Sequence, residues 1–413
     1  MPKLTKREFV RQLGGLTVLS GAAATPSLLA QTRTGKRDDR IARTTATTVS
    51  IPCEYQGGSV RHATRMTGVV MEIETADGLV GHGFTSITND QVVVAAARDV
   101  IAPYLKGKDA MAREAISEDL FWRLTPRGQT GHAVHAISLV DGALWDIAGK
   151  RYGEPVWKLL GGARDRVGTY TTCGMNFLSR DELAQVARDL VKSGQKRLKM
   201  VVAAGVPEAQ GNANAIEKIL AEDVERVRIF REAAGNSAQI MIDANQALDL
   251  LTARRFTRQL APYDLTFFEE PLRANDVLRL ADLRREAPMP IAAGQNEGHL
   301  SRWRDMLQHE SVDLLQFNVC IGGGFTAGLK IAGLAQAFGT PIENAGGYSH
   351  FNMHLHAGVA NGGLCEWHLN AVAYCNILYK GLPDLTNGDE LVLPQAPGLG
   401  FELNRDALKQ FAV

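Results

Sequence analysis

The pattern of apolar and polar residues changes near residue 160. Before that point, apolar and polar residues alternate as in half-buried strands in three segments, residues 47–52, 67–75 and 79–85. The helical spacing of apolar residues follows in three more segments, residues 90–105, 110–124 and 131–151. The pattern therefore predicts a small antiparallel sheet with accompanying helices, an α+β domain over residues 46–160.

Beyond residue 160, short apolar runs alternate with amphipathic helical segments at a period of about 25 to 30 residues. A capping box, Ser179 with Glu182 three residues later, precedes one of these helices. Alternation of this kind indicates parallel strands with helical crossovers, and about eight repeats predict a closed barrel. The expected strands are residues 167–173, 197–202, 238–242, 265–268, 290–293, 312–317, 341–343 and 364–367.

Oxygen-bearing side chains follow three consecutive strands of the predicted barrel. Asp243 and Glu269 end two of them, and Gln295 and Glu297 follow the next, each at the same point of its repeat. Because parallel strands end at one edge of the barrel, these side chains are expected to share a site. Oxygen ligands without His or Cys at equivalent positions favour Mg²⁺.

Length and charge exclude several classes of function. A chain of 413 residues is too long for one ordinary core, so two domains are expected. The 45 Lys and Arg residues equal the 45 Asp and Glu residues, and no basic run lies beyond the N-terminus, which argues against nucleic acid. The five cysteines lack CxxC spacing, so neither a zinc site nor a disulfide framework is indicated. A small-molecule ligand is expected.

The first thirty residues differ from the rest of the chain. Basic residues, among them Lys6 and Arg7, precede a weakly apolar run over residues 16–29. This order is typical of an export signal, and it resembles a twin-arginine signal with Lys in place of the first Arg. Residues 1–30 are therefore predicted to direct export to the periplasm, with cleavage near Ala30. The alternative is an amphipathic helix on a cytoplasmic protein.

A linker is predicted over residues 31–45, which are rich in Arg, Thr and Asp. No segment after residue 30 has the roughly 18 uninterrupted apolar residues that a membrane span needs. The polar segment 54–65, which carries Arg61 and His62, is expected to be either a loop that folds over a ligand or a solvated hairpin.

Three motifs carry a resemblance to a known family. They are the helical segment 135–150 (HAISLVDGALWDIAGK), the glycine turn 322–326 (GGGFT) and the segment 397–401 (PGLGF). From about residue 45 onward the chain resembles the enolase superfamily, in particular its mandelate racemase and muconate-lactonising branch.

This resemblance implies a (β/α)₇β barrel over residues 161–380, with the α+β domain as its cap and residues 381–413 returning to that cap. It implies a Mg²⁺ ion, held by Asp243 and Glu269, that binds the carboxylate of an acid substrate and stabilises the enediolate formed when a base removes the neighbouring proton. Asn245 would lie beside the substrate, and Glu270 would orient a lysine. A homo-oligomer is also expected.

The chain departs from the family pattern at the groups that transfer protons. Lys199-Met200-Val201 keeps only the first lysine of the family's Lys-x-Lys. Gln295 stands where the third acidic ligand is usual, so either its amide oxygen or Glu297 would complete the metal site. Asn318 replaces an Asp and is expected near the substrate, and Ala345-Gly346 replaces the His that pairs with that Asp.

Lys199 and His350 are the predicted proton-transfer residues. Lys199 lies among apolar residues and close to the expected cation, so a lowered pKa is predicted for it. His350 lies about where the family places an acid after the seventh strand; the nearby Tyr348, His354 and His356 are the other candidates, and packing is expected for the two histidines.

The predicted activity is dehydration of an aldonic or aldaric sugar acid, because dehydration needs one base and one acid, whereas racemisation ordinarily needs two opposed bases. The alternatives are a racemase, epimerase or cycloisomerase of a related acid, and an exported sugar-acid binding protein that kept the metal and lost catalysis.

Overall fold

The computed structural model describes residues 37–124 and 127–413. The predicted export signal, residues 1–30, lies outside the described residues. Residues Asp38–Val413 form one compact unit. Of the helices described, none combines the length and apolar character that crossing a membrane requires.

The N-terminal sheet is a three-stranded antiparallel sheet in the order β1-β2-β3, with β1 at Ile41–Gly57, β2 at Val60–Thr75 and β3 at Val80–Ser86. Strand β1 begins at Ile41, so it takes in the last residues of the predicted linker. Residues 54–65 are the far end of the β1–β2 hairpin, where Gln56 lies opposite Arg61. Of the two structures expected for this segment, the hairpin is the one formed.

Helices cover one side of this sheet and give it a core of its own. The longest of them packs closely on β3 at two glycines. A Cβ added at Gly81 would lie 2.2 Å from Ala143 O, and one added at Gly83 would lie 1.9 Å from Leu139 O. The helices are α1 (Asp90–Ala95), a π-helical turn (Ala96–Ile101), α2 (Ala102–Leu105), α3 (Arg113–Arg123), α4 (His132–Tyr152) and α5 (Val156–Leu159).

Eight parallel strands form the barrel, and each lies within two residues of its predicted position. Neighbouring strands pair in sequence order, and the last strand pairs with the first. Gly363 N donates to Ile342 O at 2.8 Å and Asn344 N donates to Leu364 O at 2.9 Å, which joins the seventh strand to the eighth and closes the ring. The strands are β4 (Arg166–Gly174), β5 (Arg197–Val201), β6 (Gln239–Asp243), β7 (Leu265–Glu269), β8 (Ile291–Ala293), β9 (Leu314–Phe317), β10 (Ile342–Asn344) and β11 (Cys365–His368).

Amphipathic helices connect the barrel strands. The predicted capping box begins the first of them: Glu182 N donates to Ser179 Oγ at 3.3 Å, and Ser179 N donates to Glu182 Oε2 at 2.8 Å. The helices are α6 (Arg180–Lys192), α7 (Ala213–Ala234), α8 (Leu250–Leu260), α9 (Val277–Glu286), α10 (Leu300–Gln308), α11 (Gly324–Ala337), α12 (Ser349–Gly358) and α13 (Leu369–Leu378), with short 3₁₀ turns at Ala261–Tyr263 and Arg273–Asn275.

The chain after the barrel contacts both parts of the molecule. Its elements are β12 (Tyr379–Lys380), β13 (Leu385–Thr386), β14 (Glu390–Val392), β15 (Glu402–Leu403) and α14 (Arg405–Phe411). Strand β14 pairs with barrel strand β4. Val413 N donates to Thr48 O of β1 at 3.1 Å, and Leu399 N donates to Asp146 Oδ1 of α4 at 2.9 Å.

Helix α4 joins the N-terminal domain to the carboxyl end of the barrel. The glycine turn after β9 is bound by this helix: Gly323 N donates to Ser138 Oγ at 2.8 Å, and Thr326 N donates to Asp141 Oδ2 at 3.0 Å. Trp145 Nε1 donates to Thr326 Oγ1 at 2.9 Å. Two of the motifs that carried the resemblance therefore contact each other, and the N-terminal domain caps the end where the strands deliver their side chains.

Candidate active site

Lys199 lies at the centre of the carboxyl end of the barrel. Its side chain is 1% exposed, and its Nζ lies 2.7 Å from Glu269 Oε2, 2.9 Å from Glu366 Oε1 and 3.3 Å from Asp243 Oδ2. The lysine comes from β5, and the three acids come from β7, β11 and β6. One ammonium thus bridges three buried carboxylates.

These contacts set the charge of Lys199. Burial alone would lower the pKa of Lys199, but the charges of Glu269, Glu366 and Asp243 outweigh it and hold the pKa above its ordinary value. The prediction of a lowered pKa was therefore wrong, because the sequence did not show how many acids surround the lysine. In this arrangement the Lys199 ammonium is a hydrogen-bond donor to three carboxylates.

The oxygens expected to bind a metal fit a hard cation. Glu269 Oε1 and Gln295 Oε1 are buried and lack a hydrogen-bond partner among the described residues. They lie in the same site as Asp243, so the donor set contains only oxygen, as Mg²⁺ prefers. In the described part of the chain no three Asp, Glu, His or Cys side chains are placed to hold a metal. The amide oxygen of Gln295 is available as a further oxygen donor in this site.

Glu297, the alternative third ligand, is engaged elsewhere. Its Oε2 accepts a hydrogen bond from Arg302 Nε at 2.9 Å, and its Oε1 accepts one from Asn275 Nδ2 at 3.2 Å. A ligand role would require Glu297 to leave both partners, whereas Gln295 already presents a free oxygen. The geometry favours Gln295.

Glu270 does not contact Lys199, contrary to the orienting role expected for it. Its backbone has a φ of +41°, and the buried carboxyl group points to side-chain amides instead of the lysine. Burial raises the pKa of Glu270 to about 7. The four amides donate to it at 2.7 to 3.2 Å and belong to Gln246, Asn275, Gln295 and Asn296.

A cavity of about 270 Å³, here called the reaction cavity, opens beside these acids. Met66 and Ile87 of the capping domain close it on one side. Asn245, predicted to lie beside the substrate, is one of its lining residues, and its backbone N donates to Asp243 Oδ1 at 2.8 Å. The remaining lining residues are Thr172, Val201, Asp243, Gln295, Asn296, Ile321, Gly346, Tyr348, Glu366, His368 and Ala371.

A second, more polar cavity of about 450 Å³, the outer cavity, shares part of this lining. Ile87, Gln295, Asn296 and Ile321 border both. The outer cavity adds polar groups from the capping domain, namely Thr88, Asn89, Thr130, His132 and His135.

His350, one of the two predicted proton-transfer residues, does not line the reaction cavity. It is buried in α12, where its Nε2 lies 3.0 Å from Pro383 O and its ring packs at 5.2 Å on Trp367. Burial lowers its pKa to about 4. His354 and His356 are buried in the same helix, as expected for packed residues. The proton-transfer role assigned to His350 does not agree with this position.

Asn318 is also buried away from the cavity lining. Its Nδ2 donates to Ala345 O at 2.7 Å and Gly347 O at 3.2 Å, so it holds the turn after β10 instead of facing a substrate. Within that turn an added Cβ at Gly346 would lie 2.9 Å from Gln295 Oε1. No side chain fits at residue 346 unless Gln295 moves.

Arg61 and His62 lie on the β1–β2 hairpin and do not reach either cavity. Arg61 Nη1 lies 2.7 Å from Glu54 Oε2, with both side chains about half exposed. His62 Nε2 lies 2.9 Å from Glu182 Oε1 of α6. The expectation that these residues bind substrate is not supported by their positions.

Two residues of the eighth strand were missed by the sequence analysis. Glu366 accepts hydrogen bonds from Gly347 N at 2.6 Å and from Thr172 Oγ1, besides its contact with Lys199. His368 ends the same strand and lines the reaction cavity. The signal was available, since the segment 364–367 was recognised as a strand and an acid within it faces the same site as Asp243 and Glu269.

Known proteins with this fold resemble the chain over nearly its whole length. Arabinonate dehydratase of Saccharolobus solfataricus is 31% identical over 353 residues, covering 83% of this chain and 90% of that protein. A 3,6-anhydro-alpha-L-galactonate cycloisomerase of Streptomyces coelicolor is 32% identical, covering 84% and 91%. The crystal structure of a racemase from Streptomyces coelicolor A3(2) with bound magnesium superposes with a TM-score of 0.79 at 30% identity, covering 90% of this chain and 100% of that one.

Two family models match successive parts of the chain. Residues 40–161 match the mandelate racemase / muconate lactonizing enzyme N-terminal domain. Residues 182–407, more than half of the chain, match the enolase C-terminal domain-like model. The chain thus belongs to the enolase superfamily, in its mandelate racemase and muconate lactonizing enzyme branch.

Proposed function

We propose that the protein removes the proton beside the carboxylate of a sugar acid in a Mg²⁺-dependent reaction and completes a dehydration. The observation that carries the proposal is the ammonium of Lys199 among three buried carboxylates, two of which, Asp243 and Glu366, line a cavity closed by the capping domain. Several relatives named for sugar-acid dehydration, acting on arabinonate, L-talarate/galactarate and L-rhamnonate, support the same class of substrate.

The residues of the site divide into two groups. Asp243, Glu269 and the Oε1 oxygen of Gln295 would hold the Mg²⁺ ion. When bound, the ion supplies positive charge beside the substrate carboxylate, where negative charge develops as the proton leaves. Lys199 adds a second fixed positive charge to the same region and holds Asp243 and Glu269 in place.

Polar groups farther from Lys199 suit the hydroxyl groups of an aldonate or aldarate. Asn245 and Asn296 line the reaction cavity, and the outer cavity continues past Asn296 to Asn89 and His132, whose Nδ2 and Nε2 lie 3.1 Å apart. Because a site with placed hydrogen-bonding groups discriminates strongly against ligands that lack the matching hydroxyls, this lining favours polyhydroxylated acids.

Cycloisomerisation is the second candidate. Relatives named as cycloisomerases of 3,6-anhydro-alpha-L-galactonate and D-galactarolactone support it. Both candidates begin with loss of a proton beside a carbonyl carbon and need no second base on the opposite face. Among residues 37–124 and 127–413, one histidine lines the reaction cavity, which favours these two over racemisation.

A screen in D₂O distinguishes the candidates. Purified protein with Mg²⁺ is incubated with a library of sugar acids and their lactones, and products are followed by NMR and by a test for 2-keto-3-deoxy acids. A keto acid without racemised substrate supports dehydration, a ring-opened or ring-closed isomer supports cycloisomerisation, and exchange of the α-hydrogen alone supports racemisation. Binding without exchange or product would overturn the enzyme proposal in favour of a binding protein.

Lys199→Ala should abolish turnover in the same screen. The matched control is Lys330→Ala, because Lys330 pairs with Glu114 on the surface, where the two side chains are 44% and 70% exposed. Full activity of Lys199→Ala would contradict the role proposed for this residue.

We also propose that the protein is exported through its first thirty residues and acts as a homo-oligomer. Fractionation of expressing cells, with Arg7→Lys as the export-deficient variant, tests the first proposal; an equal periplasmic yield would contradict it. Light scattering of the purified protein tests the second, and a monomeric mass would contradict it.

A further inference from the structure

The proposed reaction needs a base, and the structure limits which residues can act as that base. Lys199 donates to three buried carboxylates, and neither Lys199 nor His350 is among the residues that line the reaction cavity. The titratable side chains that line the reaction cavity are Asp243, Tyr348, Glu366 and His368.

The two acids, Asp243 and Glu366, already accept hydrogen bonds from other residues. Both oxygens of Glu366 accept hydrogen bonds, from Gly347 N, Thr172 Oγ1 and Lys199 Nζ. Asp243 accepts hydrogen bonds from Asn245 N at 2.8 Å and Lys199 Nζ at 3.3 Å. Each carboxylate oxygen of the two acids thus already accepts a hydrogen bond from a protein donor.

Tyr348 is unsuited for a different reason. Its side chain is 2% exposed and packs at 4.9 Å on the ring of Phe84. Burial raises the pKa of Tyr348 well above its ordinary value, so its phenolate is not formed near neutral pH.

His368 is better suited to act as the base than Asp243, Glu366 or Tyr348. It ends strand β11 and lines the reaction cavity, and its Nδ1 has no hydrogen-bond partner within the described residues. Burial lowers the pKa of His368, so the neutral imidazole is the form present near neutral pH. A Cβ added at Gly347 would lie 3.3 Å from the Cβ of His368, so the turn after β10 lies close to this residue.

We propose that His368 is the catalytic residue that takes the proton from the substrate carbon beside the carboxylate. The inference rests on the proposed function and assigns its proton transfer to a residue of the eighth strand. The C–H bond breaks, its proton goes to the imidazole, and its electron pair forms the double bond to the carboxyl carbon.

The same imidazole completes the dehydration. The bond between the next carbon and its hydroxyl breaks as the electron pair returns, and the imidazolium gives its proton to the departing oxygen, so water leaves. The remaining enol becomes the 2-keto-3-deoxy acid by taking up a solvent proton at carbon 3 and releasing the enol proton. Because one group serves both steps, the hydrogen and the hydroxyl leave from the same face of the substrate.

The test compares His368→Asn with the wild-type enzyme on a sugar acid that the wild type dehydrates. We expect kcat to fall at least about 100-fold, within the range for loss of a general base, and exchange of the α-hydrogen in D₂O to be lost in parallel. Calorimetric binding of Mg²⁺ should stay within about twofold. The matched control is His62→Gln on the exposed hairpin, which should keep wild-type kcat.

Chemical rescue separates catalysis from packing. Added imidazole should raise the activity of His368→Ala at least tenfold, because the truncated side chain leaves room for imidazole beside the substrate. If His368 only packed against its neighbours, imidazole would not restore activity. Wild-type kcat in His368→Asn, or no rescue of an inactive but folded His368→Ala, would overturn the assignment. A wild-type enzyme without activity on any sugar acid would overturn the proposed function instead.

Discussion

The side-chain nitrogen of Gln295 donates a hydrogen bond to Glu270 Oε2 at 3.2 Å, and the Oε1 oxygen of Gln295 remains buried without a partner among the described residues. Glu270 also accepts hydrogen bonds from the side-chain amides of Gln246, Asn275 and Asn296, so the nitrogen of the Gln295 amide is the end that faces this carboxyl group. The second acid of the Glu269-Glu270 pair therefore acts on the third metal-ligand position rather than on the lysine.

Removing this amide oxygen should weaken metal binding. We expect Gln295→Ala to lower the affinity for Mg²⁺ at least tenfold, since even residues that only orient a ligand contribute about 10- to 100-fold. Isothermal titration of the folded protein measures the change. Glu297→Gln is the matched control and should bind Mg²⁺ as the wild type does, because Glu297 is engaged by Arg302 and Asn275. The opposite ranking of the two variants would identify Glu297 as the ligand.

Replacing Lys199 should make stability depend on Mg²⁺. Lys199→Met leaves three buried carboxylates without their shared cation, and breaking a buried ion pair costs about 3 to 5 kcal/mol of unfolding free energy. Added Mg²⁺ neutralises the same acids, so it should raise the melting temperature of the variant more than that of the wild type. Lys330→Met, at an exposed pair, serves as control. An equal Mg²⁺ effect on Lys199→Met and wild type would contradict the shared site.

Titration of the Glu343 carboxyl group should lower the free energy of unfolding as pH rises. Burial raises its pKa in the folded protein to about 7, from an ordinary value of 4.5, and its Oε2 has no described partner. A carboxyl group with a raised folded-state pKa contributes stability that is present below pH 4.5 and lost as pH rises through 7. Glu343→Gln removes this loss, so relative to the wild type it should be more stable at pH 8 than at pH 5, by about 3 kcal/mol at most.

Urea denaturation at the two pH values measures the Glu343 effect. Glu208→Gln, at an exposed acid, should show no such difference between pH 5 and pH 8. If Glu343→Gln and wild type keep the same stability difference at both pH values, the carboxyl group does not titrate as described.

Substitution of Gly324, where the capping domain meets the barrel, should destabilise the protein, whereas substitution of Gly333 in the same helix should not. Gly324 has a φ of +82°, and an added Cβ would lie 2.2 Å from Asp141 Oδ2, so Gly324→Ala should cost about 2 to 4 kcal/mol of unfolding free energy. Gly333 lies in the same helix with open space around it, and Gly333→Ala should add about 0.5 to 1 kcal/mol. Thermal unfolding of the pair tests this, and equal effects of the two changes would contradict it.

The barrel could be predicted because its strands are short, buried and regularly spaced. Each apolar run had to be covered on both faces, and the repeat of runs and amphipathic helices admits few other folds. The same regularity placed Asp243 and Glu269 in one site, since both end neighbouring strands in the same register. The predicted domain boundaries remain predictions.

The proton-transfer residues could not be predicted in the same way. The direction of Glu270 depends on a left-handed backbone conformation that breaks the alternation of the strand. Whether His350 or His368 faces the cavity depends on how α12 and β11 pack, which side-chain type does not show. The pKa of Lys199 depends on Glu366, a residue far away in sequence on the strand that closes the ring.

The hydrogen bond between Val413 and Thr48, together with the pairing of β14 with β4, bears on how the protein is made. The strands of the capping sheet leave the ribosome first, yet β1 gains this partner only hundreds of residues later. A nascent chain stalled before residue 400 would carry an unfinished cap over an otherwise synthesised barrel. Completion of the cap therefore follows synthesis of the barrel strands and does not precede it.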